Sequence, residues 1–484
     1  MVQRVVIAIL FFVLLPATRG YAQVRVFDAR VEQYGQLKQV LGSEWNVVDS
    51  LVVHGPVNAA DFRTMWRCAF EGRLTVLNLE NAQIEGKRIP DYAFWDRRKQ
   101  IFDDGRVHYL NIRRIILPND VEKIGFCSFS RMKLEIINLP ETLRALDHSS
   151  FSNCHFLRVD PLVIPEGITE IPLQCFLNCQ AFKKVVLPST IKTIGESAFY
   201  NTRIWEINFP EGLDSIGLAA FHGSGDLREA VLPNTAQKLG NFVFSMCDSL
   251  RVLRLPEGIT RIPNNFASYC NMLEEIKIPE SVTEIGSCAF DINGSLRRVH
   301  FPSKLKRIGK DAFGYSPIEM LVFPATLEYI GGGSFAGLDE LKKIYSLSEE
   351  PPHCAEDWVN PGKGPFYGYT PEDTPVYVPI GSAEKYRRAF GWSYFTNFIE
   401  TKSFPMGIEQ LAKPSKGLYR VYSQGDRVVM EALGAPDSPC RYTVYTLGGQ
   451  TIDRGTFLDS HTLQISEKGL YVVRIEGCTY KIEI

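Results

Sequence analysis

"IKIPESVTEIGSCAF", residues Ile276–Phe290, combines a short apolar strand, a proline, a second apolar anchor and an aromatic ring. The chain writes nearly the same line just before it, "LRLPEGITRIPNNF" (Leu253–Phe266), and again just after, "VHFPSKLKRIGKDAF" (Val299–Phe313). The prolines that close these strands are Pro118, Pro140, Pro165, Pro188, Pro210, Pro233, Pro256, Pro279, Pro302 and Pro324, in steps of 22, 25, 23, 22, 23, 23, 23, 23 and 22 residues. Six residues past every one of them stands Ile or Leu, from Ile124 to Ile330. Eleven past it stands Phe129, Phe151, Phe176, Phe199, Phe221, Phe244, Phe290, Phe313 or Phe335; only the Pro256 unit sets its ring, Phe266, one place early. A period of this length defines a solenoid.

A unit of 22 or 23 residues cannot bury its own strand, so each coil must stack on its neighbours. The pattern at Leu273, Ile276, Ile278 and Pro279 points three apolar side chains inward and ends the strand at a proline, where no ladder donor is required. Glycine follows the inward Ile in seven units (Gly125, Gly195, Gly217, Gly240, Gly286, Gly309, Gly331), which predicts a turn with unusual φ. The phenylalanines are expected to stack into an aromatic spine. With neighbouring strands about 4.8 Å apart, ten coils extend roughly 48 Å.

The unit "LPxxVxxIGxxAFxxCxxLxxI" resembles the leucine-rich repeat of the BspA-like bacterial surface proteins, over about residues 110–345 and in ten registers. The resemblance implies a right-handed leucine-rich-repeat solenoid, a parallel β-sheet with turn or short-helix coils, over residues 117–345. Residues 51–116 resemble the degenerate first repeats of the same proteins, with "LNLENAQIEGKRIPDYAF" (Leu77–Phe94) keeping the pattern around an insertion. Residues 23–50 are expected to form a helical or irregular N-terminal cap, because end coils need a polar cover.

After Tyr345 the period ends, and residues 346–404 read as a C-terminal cap. A Pro- and Gly-rich loop leads to a strand at Val376–Pro379 and a helix with Ser382 as N-cap and an apolar face of Tyr386, Phe390 and Trp392. Residues 405–484 alternate strands with glycine turns, as in a small β-sandwich. "YTLGGQ" and "KGLYVVRIEG" there resemble the C-terminal domain that directs cargo through type IX secretion, which implies a sorting role.

At the other end, "MVQRVVIAILFFVLLPATRGYAQ" has a basic Arg4, an apolar stretch Val5–Leu15 and small residues Gly20 and Ala22 before a cut ahead of Gln23. That is the layout of a secretory signal peptide, residues 1–22, and its apolar stretch is too short to span a bilayer. The expected location is therefore extracellular or on the outer face of a bacterial outer membrane, with no membrane span in the mature chain. A net charge of −2 and a sequence pI near 6.5 give no general attraction to nucleic acid.

Eleven cysteines, an odd number without a CxxC pair, do not read as a disulfide framework. Cys154, Cys179, Cys247 and Cys270 share one register, fourteen past the proline. Cys154–Cys179 and Cys247–Cys270 lie on adjacent coils where a bridge is conceivable, but a buried ladder of small residues is the simpler reading. The eight histidines are scattered, and no metalloprotease, nucleophile-elbow, phosphate-loop or zinc spacing occurs. No catalytic set, cofactor or metal is expected.

What remains is surface. The outward positions of the strands hold Lys183, Lys184, Trp205, Arg228, Arg251, Arg254, Lys277, Arg297, Arg298, His300, Lys342, Lys343 and Tyr345. Ten Lys or Arg face five Glu there, so this face is expected to be positive, with cross-strand pairs setting register in the column Glu274, Arg297, Glu319, Lys342. Extended solenoid faces serve as binding walls. The family resemblance implies adhesion to an extracellular protein or acidic glycan; glycan capture for nutrient uptake and a purely structural surface coat are the alternatives.

Overall fold

The computed structural model describes residues 24–96, 100, 108–404, 419–424, 427–432, 440–446, 451–458, 460–465, 470–475 and 478–483. The expected signal peptide lies outside the described residues. Residues up to Glu400 form one unit and Thr401–Ile484 a second.

The first unit is a parallel β-solenoid of about 16 turns. Each regular coil contributes two strands where the pattern predicted one. The first precedes the proline, as in Glu275–Lys277, and pairs in parallel with its copy one coil on (Glu275↔Arg298, Ile276↔Val299, Lys277↔His300). The second has two residues and ends on the inward Ile, as in Glu284–Ile285 against Arg307–Ile308. Turns connect them, and among the described residues of 110–345 no helix forms. The backbone explains why. Nine and thirteen residues past each proline φ is positive, as at Ser149 and Asn153 (54° and 60°) or Cys288 and Ile292 (both 53°). Two left-handed residues per coil interrupt any right-handed helix.

The glycines after the inward Ile have a different role from the one expected. Their φ is not positive; the left-handed residues come two positions later. These glycines are required by close approach: a Cβ on Gly309 would lie 2.5 Å from Ser287 N, and one on Gly240 2.5 Å from Leu218 N. Their N–H groups also carry the second ladder, Gly195 to Ile171 O at 2.7 Å and Gly309 to Ile285 O at 2.8 Å. Pro172 and Pro263 occupy this position in their coils and have no N–H to give. The second ladder accordingly splits at those two coils, with separate sheets ending at Ala145–Leu146, running from Glu170–Ile171 to Lys238–Leu239, and resuming at Arg261–Ile262.

The phenylalanines are fully buried and stack ring on ring, with centroids 5.3 Å apart for Phe129–Phe151, 5.4 Å for Phe151–Phe176 and 5.5 Å for Phe176–Phe199. The stack continues through Phe221 and Phe244 and, further on, through Phe290, Phe313 and Phe335; Phe94 and Phe366 extend it at either end. Phe266 departs from it, meeting Phe244 edge-on at 88°. Elsewhere the Phe N–H donates to the carbonyl of the residue before the next Phe, as Phe221 does to Val243 O; Phe244 N donates instead to Phe266 O. Phe266 thus fills the small-residue position and Ala267 the spine position.

The fourteen-past register is a ladder of buried hydrogen-bond donors. Cys154 Sγ donates to Phe129 O at 2.9 Å, Cys179 Sγ to Phe151 O at 3.1 Å, Cys247 Sγ to Phe221 O at 3.3 Å and Cys270 Sγ to Phe244 O at 3.2 Å. Ser224 and Asn293 make the same bond in their coils, to Phe199 O and Ala267 O. Each adds a bond to a spine carbonyl, and those of Phe151, Phe221 and Phe244 also accept a turn N–H. These thiols are free, and burial pushes Cys154 and Cys270 up to about 12.

The ends match the expectation in part, with the strand at Val376–Pro379 where it was read. Within 23–50 the chain forms a strand, Val26–Arg30, paired in parallel with Ser50–Val57, so the first sheet starts before the repeat becomes legible. A short helix, Leu37–Leu41, and a longer one, Ala59–Phe70, pack in the same core. In the C-terminal cap, Ser382 holds the N-cap position of helix Ala383–Arg388, but its hydroxyl donates to Glu349 O at 2.9 Å and makes no capping bond. Tyr386 and Trp392 are buried; Phe390, beyond the helix end and out of its period, is 47% exposed.

The described residues of the second unit form two antiparallel sheets. One is ordered Tyr419–Gln424, Arg427–Ala432, Ser460–Gln464; the other Thr451–Phe457, Cys440–Thr446, Leu470–Ile475, Cys478–Glu483. Val428, Met430, Tyr442, Val444 and Val473 belong to one apolar cluster.

Candidate binding surface

In each first strand the middle residue is buried and its neighbours face solvent. Val185, Ile207, Ala230, Leu253, Ile276, Val299 and Ile344 point into the core. All thirteen residues expected on this face flank such positions, but the structure divides them into three groups.

Six are tied to carboxylates one or two coils away. Lys184 pairs with Glu206 at 2.5 Å, Lys183 with Asp226 at 3.1 Å, and Arg298 and His300 with Glu275 at 2.9 and 2.6 Å. Arg297 and Lys342 share Glu319 at 3.1 and 3.0 Å, which accounts for three members of the predicted column; Glu274 meets Arg297 only through the main chain. Burial opposes ionisation of Glu275, but hydrogen bonds from His300 and Arg298 prevail and hold its carboxyl below the usual range. His300, expected to be outward, keeps only 11% of its side chain exposed beneath that pair.

A second group is aromatic. Trp205 is 44% exposed, and the Arg228 guanidinium lies 5.0 Å from its ring centroid. Tyr345, expected to be exposed, is half covered because Tyr377 of the cap stacks on it at 4.6 Å; Lys343 sits 5.8 Å from the same ring.

The third group is Arg251, Arg254 and Lys277. All three are exposed, on consecutive coils, and among the described residues none has a carboxylate within 4 Å. Six of the expected residues are thus paired with carboxylates, while Arg251, Arg254 and Lys277, together with Arg228 and Lys343 beside their aromatic rings, make no ion pair among the described residues.

With the coil geometry in hand, the sequence can be compared with known families. The BspA type leucine rich repeat region matches in six copies, over residues 101–228 and 214–342. The chain belongs to that family. Among solved structures it is similar to a leucine-rich repeat protein from Bacteroides ovatus (24% identity, 61% of this chain and 70% of that one, TM-score 0.45). It is also similar to a leucine rich cell surface protein from Faecalibacterium prausnitzii (17%, 80% and 87%, 0.36) and to the leucine-rich repeat protein of T. pallidum (28%, 33% and 76%, 0.31). No curated protein matches it.

The BspA-type coils also carry a feature that the sequence reading missed. Near the C-terminal end of the array, Asp291, Asp311, Lys310 and Asp357 converge, with Lys310 Nζ 3.3 Å from Asp311 and 3.5 Å from Asp357. Asp357 accepts from Tyr367 at 2.7 Å and from Asn360 at 2.8 Å. Oδ1 of Asp291 is buried without a partner; burial first, then the charge of Asp311, raise its carboxyl to about 7. No sequence motif marks the group, because its members stand at different registers of successive coils. Among the described residues no group of three or more His, Cys, Asp or Glu could hold a metal ion, and no helix is long and apolar enough to cross a membrane.

Proposed function

We propose that this is an exported, surface-displayed protein that binds by contact and carries out no catalysis. In this reading the first-strand face docks an anionic extracellular partner, a protein or an acidic glycan, in the manner of an adhesin. The observation that carries it is the patch of Arg251, Arg254 and Lys277, none of which has a carboxylate within 4 Å among the described residues, although Glu274 stands one coil on from Arg251 in the same column. Unpaired like charges on one face raise the encounter rate with an oppositely charged partner and make it salt-dependent. Residues 1–22 then act as the export signal. The two C-terminal sheets are read as a small β-sandwich that sorts the chain to the outer face of the outer membrane by type IX secretion.

The test is a triple reversal, Arg251→Glu, Arg254→Glu and Lys277→Glu, probed on an array of matrix proteins and acidic glycans across a salt series. Binding that drops and loses its salt dependence supports the reading. Full binding by the folded variant removes this face as the site. Arg297 and Arg298 make poorer targets, because reversing them breaks ion pairs with Glu319 and Glu275 and perturbs the sheet itself.

A further inference from the structure

The first ladder is open beside the exposed indole. Lys184–Val186 pairs with Glu206–Ile207, and Glu229–Val231 pairs with Val252–Arg254, but no ladder joins Glu206–Ile207 to Glu229–Val231, where Arg228 N donates to Trp205 O at a long 3.4 Å. In regular coils the residue before the proline donates to a main-chain carbonyl of the next coil, as Leu232 N does to Arg254 O at 3.1 Å. Asn208 substitutes its side chain. Leu187 N donates to Asn208 Oδ1 at 2.7 Å, and Asn208 Nδ2 donates to Leu187 O at 3.0 Å. Asn138 clamps Leu117 in the same way, and the ladder is again open beyond its strand.

The first ladder also opens between Val252–Arg254 and Glu275–Lys277 and between Arg298–His300 and Met320–Phe323, without an asparagine clamp; the two clamped openings differ in what stands five residues before the proline. At the first it is Glu135, paired with Arg113 and Arg158. At the second it is Trp205. There a concavity of about 490 Å³ is lined by Trp205, Glu206, Phe209, Arg228, Glu229 and Val231. That is within the size range of small-ligand sites. The Phe209 ring is engaged edge-on by Phe221 and Phe244, so the floor offers no deep apolar hole for a peptide side chain.

The geometry points to a subsite for a neutral hexopyranose in this slot. The negative face of an indole attracts the polarised C–H face of a sugar ring. The carboxylates of Glu206 and Glu229 accept from hydroxyls, and Arg228, held over the indole, donates. Glu206 is paired with Lys184 at 2.5 Å and Arg228 balances Glu229, so the slot carries little net charge and, unlike the cationic patch, gives an anionic sugar no advantage. The inference rests on the first-strand face being the binding face and narrows one part of it to a sugar-sized place.

The test is affinity electrophoresis of the full chain in gels containing a soluble neutral glucan, mannan or galactan, with a polyuronate gel alongside. At least one neutral polymer should retard the protein. Trp205→Ala should weaken that retardation about tenfold, a difference of about 1.4 kcal/mol, with Trp205→Phe retaining part of it. Glu229→Ala gives an independent loss should the tryptophan variant fail to fold. The triple reversal of the cationic patch should leave it within about twofold. No retardation in any neutral gel, retardation indifferent to both Trp205 and Glu229, or stronger Trp205-dependent retardation by polyuronate would overturn the slot. Neutral binding through Trp205 without any anionic binding would keep the slot and remove the anionic reading; the reverse result would do the opposite.

Discussion

The coil that carries Phe266 and the next one, which carries Phe290, have the same length and opposite discipline. The Phe290 coil has Gly286 donating to Ile262 O at 2.9 Å and its ring stacked on Phe313 at 5.4 Å. The Phe266 coil has Pro263 in place of that glycine, a split second ladder and its ring edge-on. Yet the turn hydrogen bonds pass through the irregular coil unbroken, Phe244 N to Phe266 O and Ala267 N to Ala289 O, both at 2.8 Å. The main chain therefore sets the register of the stack. The rings fill the space it encloses, and one exchanged pair is accommodated without a slip.

If that is so, removing a ring costs packing energy and does not move the coils. Phe290→Ala should destabilise the array by about 3–5 kcal/mol. Because repeats couple mainly to their neighbours, the loss should show as an earlier local transition in denaturant or hydrogen exchange around Gly286–Phe313. A global collapse with altered register elsewhere would mean that the rings, not the turns, dictate the fold.

The next largest effect tests the glycine. A Cβ at Gly309 would approach Ser287 N to 2.5 Å and Gly286 C to 2.6 Å, both main-chain atoms that cannot swing aside. Gly309→Ala should cost about 1–3 kcal/mol as overpacking. A neutral result would show that the coils can part there as they do at Pro263.

How much of this was legible follows from period and reach. Proline, inward Ile and Phe recur at fixed offsets, so the stacking and the one-place shift of Phe266 could be read directly, but Phe266 was expected in the stack and instead stands edge-on. A two-residue strand has no period of its own, so the second ladder could not. The glycines were located but misread, because a steric demand from the adjacent coil leaves the same letter as a positive φ. Partners one coil apart, such as Arg297 and Glu319, become readable once the step is known. Lys183 with Asp226, two coils apart, does not. The Asn208 clamp was invisible, since only the neighbouring main chain tells an amide that bridges coils from one that faces water.

Charge separates the two coils as well. In the regular coil the residue after the spine Phe is Asp291, with a buried and unpartnered Oδ1; its counterpart after Ala267 is Ser268, whose hydroxyl pairs with that of Ser245 at 2.9 Å. Asp291 has its carboxyl raised to about 7 from an ordinary 3.8, by burial and then by Asp311, with Lys310 opposing. The folded state therefore holds this proton more tightly than the unfolded chain. Its stability contribution is fully present below about pH 4 and is lost as pH rises toward 7. Asp291→Ser, copying the neighbouring coil, should raise stability by about 1–2 kcal/mol at pH 8, a figure discounted for partial exposure. The gain should shrink toward zero by pH 4, and thermal melts of both proteins across that range would show it. A gain independent of pH would assign the effect to packing.

The smallest expected effect sharpens the comparison most. The exchange Phe266→Ala with Ala267→Phe restores the common order and offers the new ring a place between those of Phe244 and Phe290. Composition and volume are unchanged, and both positions are already buried. If the main chain alone fixes register, the double variant should stay within about 1 kcal/mol of the parent. The mirror exchange, Ala289→Phe with Phe290→Ala, breaks an intact stack and pushes a ring into the small-residue position, so it should cost several times more. Equal costs would mean that every coil is packed around its own order. A clear stabilisation at residues 266 and 267 would mark the edge-on ring as a defect that the array carries because Pro263 has already separated the coils beside it.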